Sequence, residues 1–427
     1  MKFNFFKKFF IVLQLILLFC LSLSFPTYSA EPPEIECPAA LLMDLSTGKI
    51  LYEKNINEKM YPASLTKVLT AIVVLENCDL NELATVSYEA VMTLSSGYVT
   101  ANLQLGEQLT VEQLLYVLMV GSSNDAAIVL AEHLSGSVEE FSKLMNEKAK
   151  EIGCSNSNFV NPNGVHNENH YSTAYDLAIL GKYAMQNEMF RKLVSTTSYQ
   201  LPATEKYEKN DRLFTTTNNL LIINNNNRSD NYYYKYATGI KTGFTTPAGN
   251  CLISSSNKNG FELLCVVLKG GQNEEGLSQR FLNTISLFEY GYENYFLREV
   301  SKSNSVVQTV TIKNATKETK KLDVVLEKDI NVLIKSENKN DTLLPEIKIR
   351  ENLKAPIAKG EIIGKIVYTV EDITYESNLL AAADVKPNKI FLKILFVLIL
   401  IFVFYIYKRI NYISKRNRRL KIKKRVR

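Results

Sequence analysis

Hydrophobic positions along the 427-residue chain fall into blocks of different period. Lys2, Lys7 and Lys8, then an apolar run from Phe9 to Leu23, then Pro26, Ser29 and Ala30 have the layout of a secretory signal peptide, so residues 1–30 are set apart from the fold. Between Ala39 and Tyr52 two apolar runs flank Asp44-Leu-Ser-Thr-Gly48, which predicts a β-hairpin. Apolar residues at helical spacing predict helices over 64–75, 110–120 and 125–134. Ser137-Val-Glu-Glu140 and Thr173-Ala-Tyr-Asp176 each have the form of a capping box and predict two more helix starts, the first of these helices closing at Gly153. From Thr204 to Lys235 the chain turns polar and asparagine-rich, which predicts a surface connection without a tight core. Strands are predicted at 237–242, 250–255 and 261–269, the last two joined across Asn257-Lys-Asn-Gly260, and a helix over 277–290 is expected to stop at Gly291.

Strands at both ends of residues 35–295 with helices between them predict an α+β domain, one antiparallel sheet carrying a helical cluster. Residues 296–385 instead show short alternating runs, such as 306–312 and 364–370, and read as a small all-β domain. Residues 390–407 are apolar apart from Lys393, which lies close enough to the start to snorkel, and predict one transmembrane helix. Residues 408–427 hold 11 basic and no acidic side chains. The positive-inside rule therefore places this tail in the cytoplasm and everything before residue 390 outside the cell membrane.

Charge alters this picture only at the ends. The formal balance is +6, from 50 Lys+Arg against 44 Asp+Glu, but without the basic tail and the three N-terminal lysines 36 basic groups face 44 acidic ones, about −8. A nucleic-acid-binding body is excluded on that ground. Cys37, Cys78, Cys154, Cys251 and Cys265 remain after signal removal, an odd number without Cys-x-x-Cys spacing. Neither a disulfide framework nor a zinc site is indicated, and the cysteines read as small core residues.

Only three histidines exist, His133, His166 and His170, and the chain has neither a GxSxG nor an HExxH motif. His166 and His170 flank Glu168 in a turn-rich segment without helical support, so no metal is assigned, and His133 reads as a structural residue of an apolar helix. Ser64-Leu-Thr-Lys67 carries more chemistry. In the first turn of a helix Ser64 and Lys67 share a face, a desolvated lysine can take the hydroxyl proton, and the helix N-terminus offers free N–H groups where an oxyanion forms. Ser122-Ser-Asn124 sits at a break between two helices, and Lys241-Thr-Gly243 on a strand of the last antiparallel group. Separations of 58 and 119 residues fit three walls of one pocket.

The set Ser-x-x-Lys, Ser-x-Asn, Lys-Thr-Gly resembles that of the penicillin-binding serine acyl transferases, and in particular the low-molecular-mass D-alanyl-D-alanine carboxypeptidases of peptidase family S11. Thr47-Gly-Lys-Ile-Leu-Tyr-Glu-Lys54, Ser123-Asn-Asp-Ala-Ala127, Asn161-Pro-Asn-Gly164, His170-Tyr-Ser-Thr-Ala174 and Gly239-Ile-Lys-Thr-Gly-Phe-Thr245 extend the resemblance over residues 39–295. It implies a β-lactamase/DD-peptidase-like fold followed by a small β domain and a C-terminal anchor. It further implies Ser64 as the nucleophile attacking the penultimate D-alanine carbonyl of a peptidoglycan stem peptide, Lys67 as its base and Ser122 as a proton relay. Asn124 would hold Lys67 and the substrate amide, Lys241 would supply positive potential, and Thr242 would bind the terminal carboxylate. The N–H groups of Ser64 and of Phe244, the residue after Gly243, would form the oxyanion hole, and Arg280 is either a second carboxylate partner or a surface helix charge. β-Lactam antibiotics would acylate the same serine, and no cofactor is required.

The sequence departs from the family where Ser123 replaces a common glycine, adding a hydroxyl that is either neutral or narrows the cleft, and where Phe244 replaces a histidine found in some relatives. A class A β-lactamase would carry a Glu-x-x-Leu-Asn segment between the second and third motifs, which this chain lacks. A non-catalytic peptidoglycan-binding scaffold would not require Ser64, Lys67 and Lys241 together. Transpeptidase and endopeptidase chemistry use the same acyl-enzyme and stay open.

Overall fold

The computed structural model describes residues 31–94, 97–223 and 232–425. The signal-peptide reading of residues 1–30 lies outside them. The chain divides into two compact units, the first running through Phe296 and including residues 335–340, the second comprising residues 297–334 and the chain from Asp341.

In the first unit, strands β1 (Ala39–Asp44) and β2 (Ile50–Lys54) form the expected hairpin, its turn held by the Asp44 carboxylate, which accepts the Thr47 N–H at 2.9 Å. Every residue of β1 is buried, because β1 lies inside the sheet and is covered on both faces, so its sequence is apolar without alternation from Ala39 to Met43 and turns polar only at Asp44, where the turn begins. Helices follow: α1 (Lys67–Asn77), α2 (Val111–Met119), α3 (Asn124–Ser135), α4 (Val138–Ile152), α5 (Ala174–Ala184) and α6 (Glu188–Ser195). The first eight residues of α1 are all buried, so this helix runs through the middle of the cluster. Ser137 and Thr173 accept the N–H groups of Glu140 and Asp176, as their capping positions predict, while the reciprocal capping box stands at Thr110 and Gln113.

A short hairpin, β3 (Ser198–Gln200) and β4 (Leu213–Thr215), leads into β5 (Ala237–Thr245), β6 (Gly249–Lys258) and β7 (Phe261–Gly270), and helix α7 (Gln279–Asn294) closes the unit. The sheet is antiparallel in the order β2-β1-β7-β6-β5, with Lys241 opposite Ile253 and Gly243 opposite Cys251, which leaves β5 as an edge strand.

Two expectations are corrected. Helix α7 continues past Gly291 to Asn294; that glycine is a packing residue, since a Cβ there would lie 2.7 Å from Leu263 Cδ1 and 3.0 Å from Leu42 Cδ2. The polar stretch from Thr204 is also no loose connection over its described part. Arg212 and Glu107 form an ion pair at 2.6 Å with side-chain exposures of 3% and 0%, and Tyr199 stacks on Tyr116 at 4.4 Å. Paired charges and one aromatic stack hold this hairpin where apolar periodicity is lacking.

The second unit holds an antiparallel sheet in the order β8-β9-β12-β11-β10, from β8 (Val306–Thr311), β9 (Lys321–Leu326), β10 (Glu346–Ile349), β11 (Ile362–Val370) and β12 (Ile373–Ala381). Leu322, Val324 and Leu326 are buried while Lys321 and Asp323 are exposed, the alternation expected of a sheet with one covered face. Helix α8 (Ile390–Arg425) follows, and its segment Lys393–Arg418, which contains a window of mean hydropathy 2.0, is long and apolar enough to cross a membrane. The helix does not stop at residue 407 but continues through basic residues expected to form a tail.

Candidate active site

Ser64 lies on a 3-10 turn, Ala63–Thr66, that leads directly into α1, one turn tighter than the α-helical start expected for it. Ala63 has φ +48, a conformation an L-residue adopts only under constraint, and the constraint is visible. Thr66 Oγ1 donates to the Ala63 carbonyl at 2.8 Å and lies 2.8 Å from His170 Nε2, while the Val160 N–H donates to His170 Nδ1 at 3.2 Å. This assigns a neutral imidazole with its proton on Nε2. Burial, with His166 and Lys67 nearby, lowers the His170 pKa to about 4. Gly164 completes the clamp, because a Cβ there would lie 1.9 Å from the Ala63 carbonyl oxygen.

Lys67 is fully buried, and its Nζ contacts Ser64 Oγ at 3.0 Å, Asn124 Oδ1 at 2.8 Å and the Asn163 carbonyl at 2.7 Å. The amide and carbonyl oxygens can only accept, so each takes an N–H; the hydroxyl can do either. A neutral amine in this position therefore aims its lone pair at the Ser64 hydroxyl. Burial first, then the positive charge of Lys241, holds the Lys67 pKa well below its ordinary value, against a smaller opposing pull from Asp125.

Ser122 stands between α2 and α3 with φ +60, and Asn124 opens α3. Asn124 Nδ2 donates to the Val99 carbonyl at 3.0 Å, so its amide is shared between Lys67 and the segment that rims the pocket. Asp125 is buried and accepts the N–H groups of Ala101 and Leu103, fixing the same segment. The Ser123 hydroxyl is buried without a hydrogen-bond partner and does not line the cleft, so it does not narrow it.

The third wall is β5. A Cβ on Gly243 would lie 2.9 Å from the Pro62 carbonyl oxygen and 3.1 Å from the Ser64 N, so only glycine lets this strand meet the Ser64 turn. Thr242 Oγ1 is hydrogen-bonded to Thr217 Oγ1. Lys241 lies behind the strand with its Nζ 3.1 Å from the Thr242 carbonyl; burial and then the charge of Arg280 lower its pKa to about 7. Arg280 Nη1 donates to the Gly243 carbonyl at 3.3 Å, and its Nε is buried without a partner. Arg280 is thus a pocket residue and no surface charge.

Ser64, Ser122, Asn124, Thr242, Gly243, Phe244 and Arg280 line one cavity of about 260 Å³, while Lys67 and Lys241 lie behind its wall. Sequence reasoning missed Asn163, Thr217, Asp125 and His170. Asn163 acts through its carbonyl, which no side-chain pattern announces, and Thr217 stands in the polar stretch set aside as surface. His166, paired with His170 in the metal reading, packs edge-on against Tyr61 at 4.6 Å, and both His170 nitrogens are already engaged.

Among solved structures, penicillin-binding protein 5 of Haemophilus influenzae superposes with a TM-score of 0.62 at 27% identity, covering 84% of this chain and 99% of that one. Penicillin-binding protein 3 of Streptococcus pneumoniae shares the fold with a TM-score of 0.71 at 22% identity, covering 83% of this chain and all of that one. The architecture is that of the penicillin-binding protein 5 class, and residues 295–387 match the C-terminal domain model of that protein. Residues 27–272 match the D-alanyl-D-alanine carboxypeptidase model of peptidase S11, and D-alanyl-D-alanine carboxypeptidase DacF of Bacillus subtilis is 33% identical over 356 residues, 82% of this chain and 86% of its own length. The chain belongs to the D-alanyl-D-alanine carboxypeptidases of peptidase family S11.

Proposed function

We propose that this carboxypeptidase removes the terminal D-alanine of peptidoglycan pentapeptides through a Ser64 acyl-enzyme. The carrying observation is the environment of Lys67, whose two obligate acceptors leave one position of its Nζ facing Ser64 Oγ at 3.0 Å. Ser64 Oγ attacks the penultimate D-alanine carbonyl as its proton passes to Lys67 Nζ. The N–H groups of Ser64 and Phe244 receive the developing oxyanion. The tetrahedral adduct collapses when the proton reaches the leaving amine by way of Ser122, and D-alanine departs; water then cleaves the ester and restores Ser64. Thr242, oriented by Thr217, binds the terminal carboxylate in the field of Lys241 and Arg280, and Asn124 positions Lys67. Penicillin enters by the same attack and opens its lactam ring on Ser64.

No carboxylate lines the cavity among the described residues, so a penicilloyl ester meets no acidic general base of the β-lactamase kind. This favours slow penicillin release. Residues 35–295 form the catalytic domain in this reading and residues 296–385 an accessory β domain. Helix α8 anchors the chain from residue 390, with the catalytic domain outside the membrane and the basic end in the cytoplasm.

Mass spectrometry of the full chain treated with penicillin, in parallel with D-alanine release from a D-Ala-D-Ala pentapeptide, tests the reading. The expected result is a stable penicilloyl adduct on Ser64 and D-alanine release, both lost in Ser64→Ala. Turnover that persists in Ser64→Ala overturns it; an adduct without release points to a peptidoglycan-binding scaffold, and rapid penicillin turnover to a β-lactamase.

A further inference from the structure

Helices α1 and α3 meet twice. Their N-terminal ends come together where Lys67 bonds Asn124. Their C-terminal ends come together about 16 Å away along the 11 residues of α1, where Cys78 caps α1 and His133 lies in the last turn of α3. Glu82, four residues after Cys78, joins them: His133 Nε2 lies 3.0 Å from Glu82 Oε2, and the ligand atoms of Cys78, Glu82 and His133 all lie within 4.8 Å of one another. Among the described residues Cys78 is the free cysteine that is not buried.

We propose that Cys78, Glu82 and His133 form a binding site for a divalent cation of the zinc class, which staples the far ends of the two helices that carry Lys67 and Asn124. One sulfur, one nitrogen and one carboxylate oxygen make a donor set for zinc rather than for calcium or magnesium, which take oxygen alone. Tetrahedral zinc holds sulfur and nitrogen ligands roughly 3.5 Å apart, so the group closes around an ion with side-chain movement on the order of 1 Å. The other Glu82 oxygen is already held at 2.8 Å by the Asp79 N–H, which orients Oε2 toward the site. The side-chain exposures of 22% for His133 and 48% for Glu82 leave a way in and a fourth position for water. Burial and the Glu82 charge raise the Cys78 thiol pKa to about 11, so the thiol keeps its proton at neutral pH until the cation displaces it to solvent. The spacing is invisible in sequence because the third ligand stands 51 residues beyond Glu82.

Titration of the full chain, purified in detergent, with cobalt as a spectroscopic stand-in for zinc tests the site. One equivalent of cobalt should give a thiolate-to-metal charge-transfer band that is absent from Cys78→Ser and at least tenfold weaker in apparent affinity in His133→Ala. Zinc at a hundredfold excess over its dissociation constant should raise the unfolding midpoint of the first unit by roughly 5–10 °C in the wild type, leave Cys78→Ser unmoved, and shift His133→Ala by no more than about half the wild-type amount. Both variants should unfold cooperatively without metal, which separates loss of the site from loss of the fold. Absence of the band, a band retained in Cys78→Ser, or equal cobalt affinity in His133→Ala overturns the proposal.

Discussion

The two units bury different things. The first encloses Asp44, Lys67, Glu107, Asp125, Asp176, Arg212 and Lys241 at 5% exposure or less, whereas among the described residues of the second the buried polar side chain is Ser377. Burying a charge opposes folding unless it is paired or changes its protonation state. The first unit uses both routes. Glu107 takes Arg212, while the two lysines give up basicity through burial and then through a neighbouring positive charge, that of Lys241 on Lys67 and that of Arg280 on Lys241. The second unit needs neither, because its sheet is apolar on the covered face and its charges stay in water. Polar burial in this molecule therefore concentrates in the first unit, and removing charges should separate the units sharply.

Lys67 gives the largest expected effect. Lys67→Met should lower kcat/KM for the pentapeptide by about 10²–10⁴-fold, the worth of a positioned general base. The wild-type profile should rise with pH as Lys67 loses its proton, since only the neutral amine accepts one. It should fall again as Lys241, with its pKa of about 7, loses its charge. In kcat the falling limb should move to higher pH, because a bound carboxylate favours charged Lys241. Loss of the falling limb in Lys241→Met, with the rising limb kept and KM raised, would assign that limb to Lys241; an unchanged falling limb would break the assignment.

The Glu107–Arg212 pair ranks next. Burial pushes the Glu107 carboxyl up, but the bonds from Arg212, Thr204 and the Gln104 N–H outweigh it and hold it below the usual range. Arg212→Met leaves that carboxylate buried and unpaired and should destabilise the first unit by about 3–5 kcal/mol in denaturant unfolding. Arg212→Met with Glu107→Leu should recover most of the loss. If the double variant is as unstable as the single one, the pair is needed for more than mutual neutralisation.

His170 follows, at about 3 kcal/mol for a pKa moved from 6.5 to about 4. Its folded-state pKa is depressed, so the unfolded chain binds the proton more readily. The contribution is fully present above pH 6.5 and is lost as pH falls toward 4. Thermal unfolding across that window should show this loss in the wild type and a shallower slope in His170→Asn, with the Thr66 hydroxyl still within reach of the substituted amide.

What could be read in the sequence divides along the same line. Alternation in the second unit and periodicity in α1 to α4 follow directly from which face is covered, so these elements and the three motifs were legible. The supports of the motifs were not. Asn163 serves through a backbone carbonyl, Gly164 through the absence of a Cβ, and Thr217 through a hairpin held by a charge pair that hydropathy reads as solvent-exposed. Gly291 misled in the other direction, since a glycine that packs against Leu263 looks in sequence like one that ends a helix. Local pattern records what water covers, and these positions are set by contacts far along the chain.

The smallest effect closes the comparison from the second unit. Lys365 and Glu376 pair across β11 and β12 at 3.0 Å with side-chain exposures of 52% and 54%. The geometry is as short as several bonds in the first unit, yet water and salt screen it, and holding two long side chains together opposes it entropically. Lys365→Ala should therefore change stability by less than about 0.5 kcal/mol, and that remainder should vanish in high salt. A loss comparable to that of Arg212→Met would mean that distance, and not burial, sets the value of an ion pair here. The contrast between the two units would then rest on their apolar cores alone.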